Sequence, residues 1–335
     1  MKKKHFNIPV LIPEAACPFQ CIYCNQKKIT GASHIPDQEE INKIITDHLS
    51  TIPENDSETE LAFFGGNFTG LPDSEQRSYL SLAKPFLDSG RIIGIRLSTR
   101  PDYINKSVLQ LLKSHRVTTI ELGAQSFDNE VLQMSKRGHT SEDTEAASKM
   151  ILDAGFRLGL QMMIGLPGDT PVKSLLTAHR IIELGASQTR IYPVLVIKGT
   201  SLEKIYLAGD YKPLSLEEAI NWSKLLFLKF ESAGIAVIRM GLHPSDGILT
   251  GKDLVAGPFH PSFRELVLTE IWSDLLTPLL NTRTTTLSLR IPSAELNYAI
   301  GYGGKNRKML LNGFRYVNFI PDKSMNNGHR RFIKE

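Results

Sequence analysis

Along most of this 335-residue chain, short runs rich in Val, Ile and Leu alternate with stretches whose apolar residues recur at helical spacing. Strands are expected near residues 8–12, 60–64, 92–98, 118–122, 158–163 and 189–196. Helices are expected near 37–50, 74–88, 105–115, 141–155, 172–185 and 215–233. Such an alternation implies parallel β-α-β units with right-handed crossovers. Six units fall short of the eight that close a barrel, so an α/β fold built as a partial (β/α)6 barrel is expected. Asp73 and Thr140 sit where helices start, with Gln76 and Asp143 three residues on, the spacing of capping boxes. Gly155 and Gly234 suit helix ends.

In folds of this kind the reactive groups gather at the carboxyl ends of the strands. Here those ends carry Phe63-Phe-Gly-Gly-Asn-Phe-Thr69, Leu97-Ser-Thr-Arg-Pro-Asp102, Gly123-Ala-Gln-Ser126, Gly165-Leu-Pro-Gly168 and Tyr192 to Thr200. Glycines are needed for turns in any case. Gln125, Arg100 and Lys198 are harder to explain that way.

The first strand is followed by Cys17-Pro-Phe-Gln-Cys-Ile-Tyr-Cys24, which contains all three cysteines of the chain. An odd number packed into one short loop is not a disulfide framework and points to metal. Three thiolates can hold three irons of a [4Fe–4S] cluster and leave the fourth iron open. S-adenosylmethionine can chelate that open iron and, on reduction, give a 5′-deoxyadenosyl radical that takes hydrogen from an unactivated carbon. The competing reading is zinc on the same cysteines plus His34. It lacks the second distant cysteine pair usual in structural zinc sites. Tyr23 packs either as a core aromatic or beside the cluster.

On these residues the chain resembles the radical S-adenosylmethionine superfamily from about residue 5 to 265. Leu97-Ser-Thr-Arg-Pro-Asp-Tyr103, Glu121-Leu-Gly-Ala-Gln-Ser126, Arg137-Gly-His-Thr140 and Ile191 to Thr200 are similar to the catalytic subunit of Elongator. Asp253-Leu-Val-Ala-Gly257 echoes it too, whereas Gly165-Leu-Pro-Gly-Asp-Thr170 is closer to the oxygen-independent coproporphyrinogen oxidases. The resemblance implies S-adenosylmethionine contacts from Gly65, Gly66, Asn67, Ser98, Arg100, Gln125, Arg137 and Gln161. Ser98 stands where relatives carry Glu, and Asn67 where they carry Glu or Thr. Arg137 could instead cap a helix and Gln125 could satisfy buried backbone; His139 reads equally as structural. Tyr192 and Lys198 are the candidates for acting on substrate, although Lys198 also reads as a solvated lysine. A flavodoxin or ferredoxin is the implied electron donor.

Charge is unevenly spread. From Arg283 to Glu335 ten Lys and Arg face three acids, a net +7, which leaves −3 on the preceding 282 residues of a chain with net charge +4. A basic tail on an acidic body fits an anionic partner, or a face kept basic for solubility. Thr284 to Ile291 reads as a strand, Ser293 to Ile300 as a helix, Lys305 to Leu311 as a second helix and Phe314 to Ile320 as a second strand. Gly301-Tyr-Gly-Gly304 between the helices makes the tail resemble a small α+β KH module. That resemblance implies RNA contacts from Gly301, Tyr302, Gly303, Gly304, Lys305, Arg307 and Lys308. The expected divisions are a barrel over 1–265, a helical linker over 266–283 and the basic module over 284–335. No apolar run long enough for a membrane span and no signal peptide is found, so a cytoplasmic protein is expected. Only about 70 residues follow Val267, too few for the acetyltransferase domain that Elongator's subunit carries. The leading expectation is an enzyme that modifies tRNA or rRNA. The alternatives are a radical enzyme for a small molecule such as a porphyrinogen, and a non-catalytic iron–sulfur protein that binds RNA.

Overall fold

The computed structural model describes residues 4–12, 17, 21–31, 34–281, 285–325 and 330–334. Arg283 and the start of the tail strand expected from Thr284 lie outside them. Seven parallel strands make the main sheet: β1 Lys4–Leu11, β2 Ser57–Phe64, β3 Gly94–Thr99, β4 Val117–Gln125, β5 Arg157–Ile164, β6 Gln188–Pro193 and β7 Ala236–Met240. They are hydrogen-bonded in exactly chain order, and β1 does not pair with β7, so the barrel stays open. The six-strand expectation is corrected to seven. β7 is five residues long, with only Val237 and Met240 buried, and offers little apolar signal. The expected strand over 189–196 also divides: β6 stops at Pro193, and Val196–Ile197 pairs antiparallel with Leu254–Ala256.

Local chemistry sets the helix starts. Thr140 makes the expected capping box with Asp143. Asp73 does not: the N-cap is Pro72, which has no side-chain donor or acceptor, and Asp73 instead pairs with Arg77 one turn on. The helix expected over 74–88 breaks into Asp73–Leu82 and Lys84–Asp88, because Pro85 has no N–H for a continuing helix.

Strand residues alternate between two environments. Ile8, Val10, Leu61, Phe63, Ile95, Leu97, Ile120 and Leu122 are buried in the main core beneath the helices. The opposite, concave face has no covering layer and carries charge. Glu60 of β2, fully buried, accepts from Arg96 of β3 (2.8 Å), Arg157 of β5 (2.6 Å) and His5 of β1 (2.8 Å). Glu121 of β4 accepts from Arg96 (2.8 Å) and from Arg190 of β6 (2.6 and 3.0 Å). Burial pushes the Glu60 carboxyl up, but His5 and Arg96 outweigh it and hold the group below the ordinary range. Glu121 is held down in the same way by Arg190 and Arg96 against the cost of burial.

The tail forms its own sheet. Thr286–Pro292 pairs parallel with Tyr316–Asp322 and antiparallel with Ile333–Lys334, while helices Leu296–Ile300 and Lys305–Leu311 flank a glycine turn. Its core is continuous with helix Phe263–Leu276: Val267, Leu268 and Ile271 belong to the main core, and Trp272 and Leu276 to the tail core. Trp272 Nε1 also donates to Glu295 (2.9 Å), and Arg330 reaches Glu231 of the main body (2.5 Å).

Glu60→Gln should lower unfolding stability by about 1–3 kcal/mol, since it removes the carboxylate shared by His5, Arg96 and Arg157 and leaves Arg96 paired with Glu121 alone. Urea titration at neutral pH measures this. Both carboxyls are held low in the folded state, so their contribution is present above the ordinary carboxylate range and lost as pH falls below about 4. The gap between wild type and Glu60→Gln should therefore narrow in acid.

Candidate active site at the open end of the barrel

Above the charged network the concave face is hollow. A cavity of about 880 Å³ is walled by the carboxyl ends of all seven strands: Leu11, Phe64, Ser98, Gln125, Gln161, Tyr192 and Arg239 each come from, or end, a different one. Cys17, Cys21 and Cys24 line it as well. The expectation that reactive groups follow the strands describes this wall, with a seventh contribution from β7 that sequence reading missed.

Sequence signals meet here unevenly. Gly65 and Gly66 line the cavity after β2. Gly65 has φ +102°, and a Cβ there would stand 3.1 Å from the Ile12 carbonyl oxygen, so the turn needs glycine. The end of β4 is irregular: the register with β5 shifts between Leu122 and Gln125, and Gln125 adopts φ +66°. Among the described residues its buried Oε1 has no hydrogen-bond partner, although Gln125 lines the cavity. Gln161 donates to Ser98 (3.2 Å) and to Glu121 (2.9 Å), which ties the cavity floor to the charged network.

Arg137 is held from behind. Its Nη2 donates to the Gly123 carbonyl (2.8 Å) and its Nη1 to the Cys21 sulfur (3.4 Å). This is a strand-end and cysteine contact rather than a helix cap. Burial disfavours its charge, but Tyr23 and Cys21 more than compensate and hold the guanidinium protonated. His139 lies behind this group, with Nε2 3.3 Å from the Ala124 oxygen; burial and the Arg137 charge lower it to about 3. It is a neutral, buried imidazole at physiological pH, and the structural reading suits it.

Three expected residues stand apart. The Asn67 amide oxygen accepts from Thr99 Oγ1 (2.7 Å) and the Arg100 N–H (3.3 Å), joining β2 to β3. Arg100 is buried and bidentate on Asp102 (2.9 Å twice). Lys198 is exposed after Ile197. None of the three lines the cavity; each sits one to three residues past a strand end, where chain spacing does not tell which way a side chain points. His34, the histidine of the zinc reading, bonds Glu40 (2.9 Å) and is not on the cavity wall either. Among the described residues no three His, Cys, Asp or Glu side chains converge at metal-binding distance, so cluster ligation rests on the cysteine spacing.

The wall fits a cofactor of nucleoside size. Its volume lies within the range of small-molecule sites. An unpartnered amide oxygen at Gln125 awaits a donor, the Gly65–Gly66 turn admits a ligand to the backbone, and a cation sits against one cysteine sulfur. Sequence reading missed Arg190, Arg239 and His243 on the same wall. The alternation of Gln188, Arg190 and Tyr192 was available as a signal on β6, while β7 gave none.

Lining residues tested by substitution should separate the two cofactors. Gly123→Ala would place a Cβ 2.7 Å from Arg137 Nη2 and push the guanidinium off Cys21. Loss of such an outer hydrogen bond should weaken cluster retention by about 10-fold or more. Iron and acid-labile sulfide per chain after anaerobic reconstitution measure this, with the thermal midpoint as the folding control.

A "Radical SAM superfamily" model matches residues 11–176 and a "Radical_SAM C-terminal domain" model matches 186–273. The chain is 36% identical over 134 residues to a tRNA uridine(34) acetyltransferase of Methanocaldococcus jannaschii, covering 39% of this chain and 25% of that protein. It is 26% identical over 239 residues to a tRNA uridine(34) acetyltransferase of Dehalococcoides mccartyi, covering 62% and 52%. The chain thus spans from a quarter to about half the length of these relatives. The structure of the archaeal Methanocaldococcus infernus Elp3 lacking residues 1–46 superimposes with a TM-score of 0.64 at 20% identity, over 82% of this chain and 64% of that one. This likeness shows the shared fold. Members of the matched family use a [4Fe–4S] cluster and S-adenosylmethionine, the two groups anticipated from the cysteine loop. The chain belongs to the radical S-adenosylmethionine superfamily, with relatives in the Elongator branch.

Proposed function

We propose that this protein is a radical S-adenosylmethionine enzyme that modifies RNA, with tRNA as the first substrate to test. Cys17, Cys21 and Cys24 are its cluster ligands, and Gly65, Gly66, Ser98, Gln125 and Gln161 form the wall against the sulfonium cofactor. The bound cofactors supply a carbon-centred radical that removes hydrogen from an unactivated carbon. The chain's part is to exclude water and fix geometry. Arg137 holds positive charge at Cys21, and Gln161 is oriented by Glu121. Tyr192 faces the cavity with its hydroxyl 3.4 Å from Arg190 Nη1, placing it to meet a substrate. A flavodoxin or ferredoxin is the electron source in this reading.

The observation that carries the RNA assignment is the surface beside the cavity. The Gly301–Gly304 turn is bonded to helix Phe263–Leu276 through Tyr302 N–H and Thr269 Oγ1 (2.9 Å). Tyr302 is half exposed, with its ring edge-on to His260 at 5.3 Å between centroids. Lys305 is paired with Glu270. Arg307 and Lys308 are exposed and, among the described residues, have no carboxylate within ion-pair distance. An exposed aromatic beside two unmatched cations on a glycine turn is the pattern that stacks a base and meets phosphate. The names of the curated relatives point the same way.

Anaerobic incubation with S-adenosylmethionine, a strong reductant and total cellular RNA, followed by nucleoside mass spectrometry, tests this reading. A new nucleoside should form with wild type and be missing with Cys21→Ala. Cofactor cleavage stimulated by porphyrinogens or other metabolites, and indifferent to RNA, would establish the small-molecule reading instead. Because the tail core includes Trp272 and Leu276, truncation would expose apolar surface. The double change Arg307→Gln and Lys308→Gln is the cleaner probe. Each lost phosphate contact should flatten the log–log salt dependence of RNA binding by about 0.7–0.9.

A further inference from the structure

The concave wall holds more positive charge than its own carboxylates match. Arg96 lies between Glu60 and Glu121, Arg157 is on Glu60, and Arg190 is on Glu121. Arg239, which projects from β7 into the same cavity, is half-buried and, among the described residues, bonds only from Nε to the Gly241 carbonyl in its own turn (3.2 Å). Among the described residues no carboxylate lies within ion-pair distance of it. Burial, the largest effect, disfavours its charge; the Tyr192 hydroxyl favours it, and the nearby Arg190 disfavours it again. A half-buried cation set against another cation, with no internal counter-charge, costs stability and is retained where a ligand supplies the anion.

Position narrows the ligand. The cysteine loop follows β1, at one edge of the sheet, and β7 is the opposite edge. The loop itself reaches across to the segment after β6, where the Ile22 carbonyl accepts from Leu202 N–H (2.7 Å), so a cofactor on the cysteines and the β2–β5 ends leaves the β7 end, with Arg239 and His243, to substrate. His243, exposed three residues after β7, lines the mouth there. The surface beyond it runs through Leu242 and Phe259, which pack on one apolar cluster, to His260 and its contact with Tyr302. The unmatched cation therefore lies at the end of a surface that begins at the glycine turn.

We infer that Arg239, with His243 at the mouth, is a phosphate subsite that holds the RNA backbone beside the nucleotide entering the cavity. The inference rests on the RNA reading above and adds a residue-level contact to it. Arg239 offers a bidentate guanidinium fork for phosphate oxygens, and His243 a ring N–H.

The test measures binding of fluorescently labelled bulk tRNA to the reconstituted holoprotein across a KCl series. Arg239→Gln should weaken binding by 5- to 20-fold and reduce the salt slope by about 0.7–0.9. Arg239→Lys should restore most of the slope while binding less tightly, because the charge is kept and the fork is lost. His243→Gln should change affinity by a smaller factor with little change in slope. S-adenosylmethionine binding should stay the same in all three variants, and the melting temperature of Arg239→Gln should be unchanged or raised. Equal affinity and equal slope for wild type and Arg239→Gln would overturn the subsite while leaving the RNA reading intact. A wild-type holoprotein without measurable tRNA affinity would instead sink the RNA reading and the phosphate assignment together. A fall in melting temperature with an unchanged slope would assign Arg239 a structural role and overturn the proposal.

Discussion

A parallel sheet that does not close into a barrel has one face with no partner layer, and the rest of this structure follows from how that face is filled. Helices cover the convex side with Val, Ile, Leu and Phe. The concave side is occupied at its lower end by a carboxylate–guanidinium lattice in which Glu121 alone receives Arg96, Arg190 and Gln161. Buried ion pairs are poor sources of net stability compared with apolar packing. They are, however, directional. Side chains locked by two or three charge-assisted bonds present a fixed floor, whereas an apolar filling would extend upward and close the space. The cavity above the lattice exists because the lattice stops at Ser98, Gln161 and Arg190.

The lattice also explains the residue at position 98. Ser98 accepts a hydrogen bond from Gln161, which is itself held by Glu121. The groups that β4 and β5 present to the cavity are therefore neutral amides, Gln125 and Gln161. The nearest carboxylate, Glu121, is consumed by its arginines. A neutral floor leaves Arg239, which lines the cavity with no carboxylate in ion-pair distance among the described residues, uncompensated toward anything that enters.

Much of this was legible in the sequence, and the parts that were not share a cause. Cys17, Cys21 and Cys24 stand out in the sequence by residue type and spacing, and the structure puts all three on the cavity wall. Six of the strands are recognisable because burial on the convex face demands Val, Ile and Leu at alternate positions. Thr140 is readable as a cap because its partner Asp143 is local. What failed depends on long-range direction. β7 shows only two buried apolar residues, so its sequence resembles a loop, and Arg239 went with it. Asn67 and Arg100 lie in the right segments, yet their side chains turn toward Thr99 and Asp102, and nothing in their spacing announces that. The boundary expected at residue 265 falls inside helix Phe263–Leu276, one helix whose successive turns serve two cores. Its apolar residues go nearly all the way round, which is why no face of it marks an end.

That shared helix gives the basic tail a fixed position, and position decides how its charges act. Exposed cations such as Arg307 and Lys308 are screened over about 8 Å at physiological salt, so they attract a polyanion broadly and place it loosely. Arg239, half-buried in a cavity wall, is screened far less, so it acts more strongly on a group that reaches the cavity, and its position in the wall fixes where that group sits. In the RNA reading proposed above, a nucleic acid met first by the outer set and last by the inner one would gain orientation as it loses freedom. The entropy of ordering it is then divided between two steps. Trp272 and Arg330 matter to that sequence without touching any ligand: by anchoring the tail to the barrel, they fix the distance between the two sets of cations.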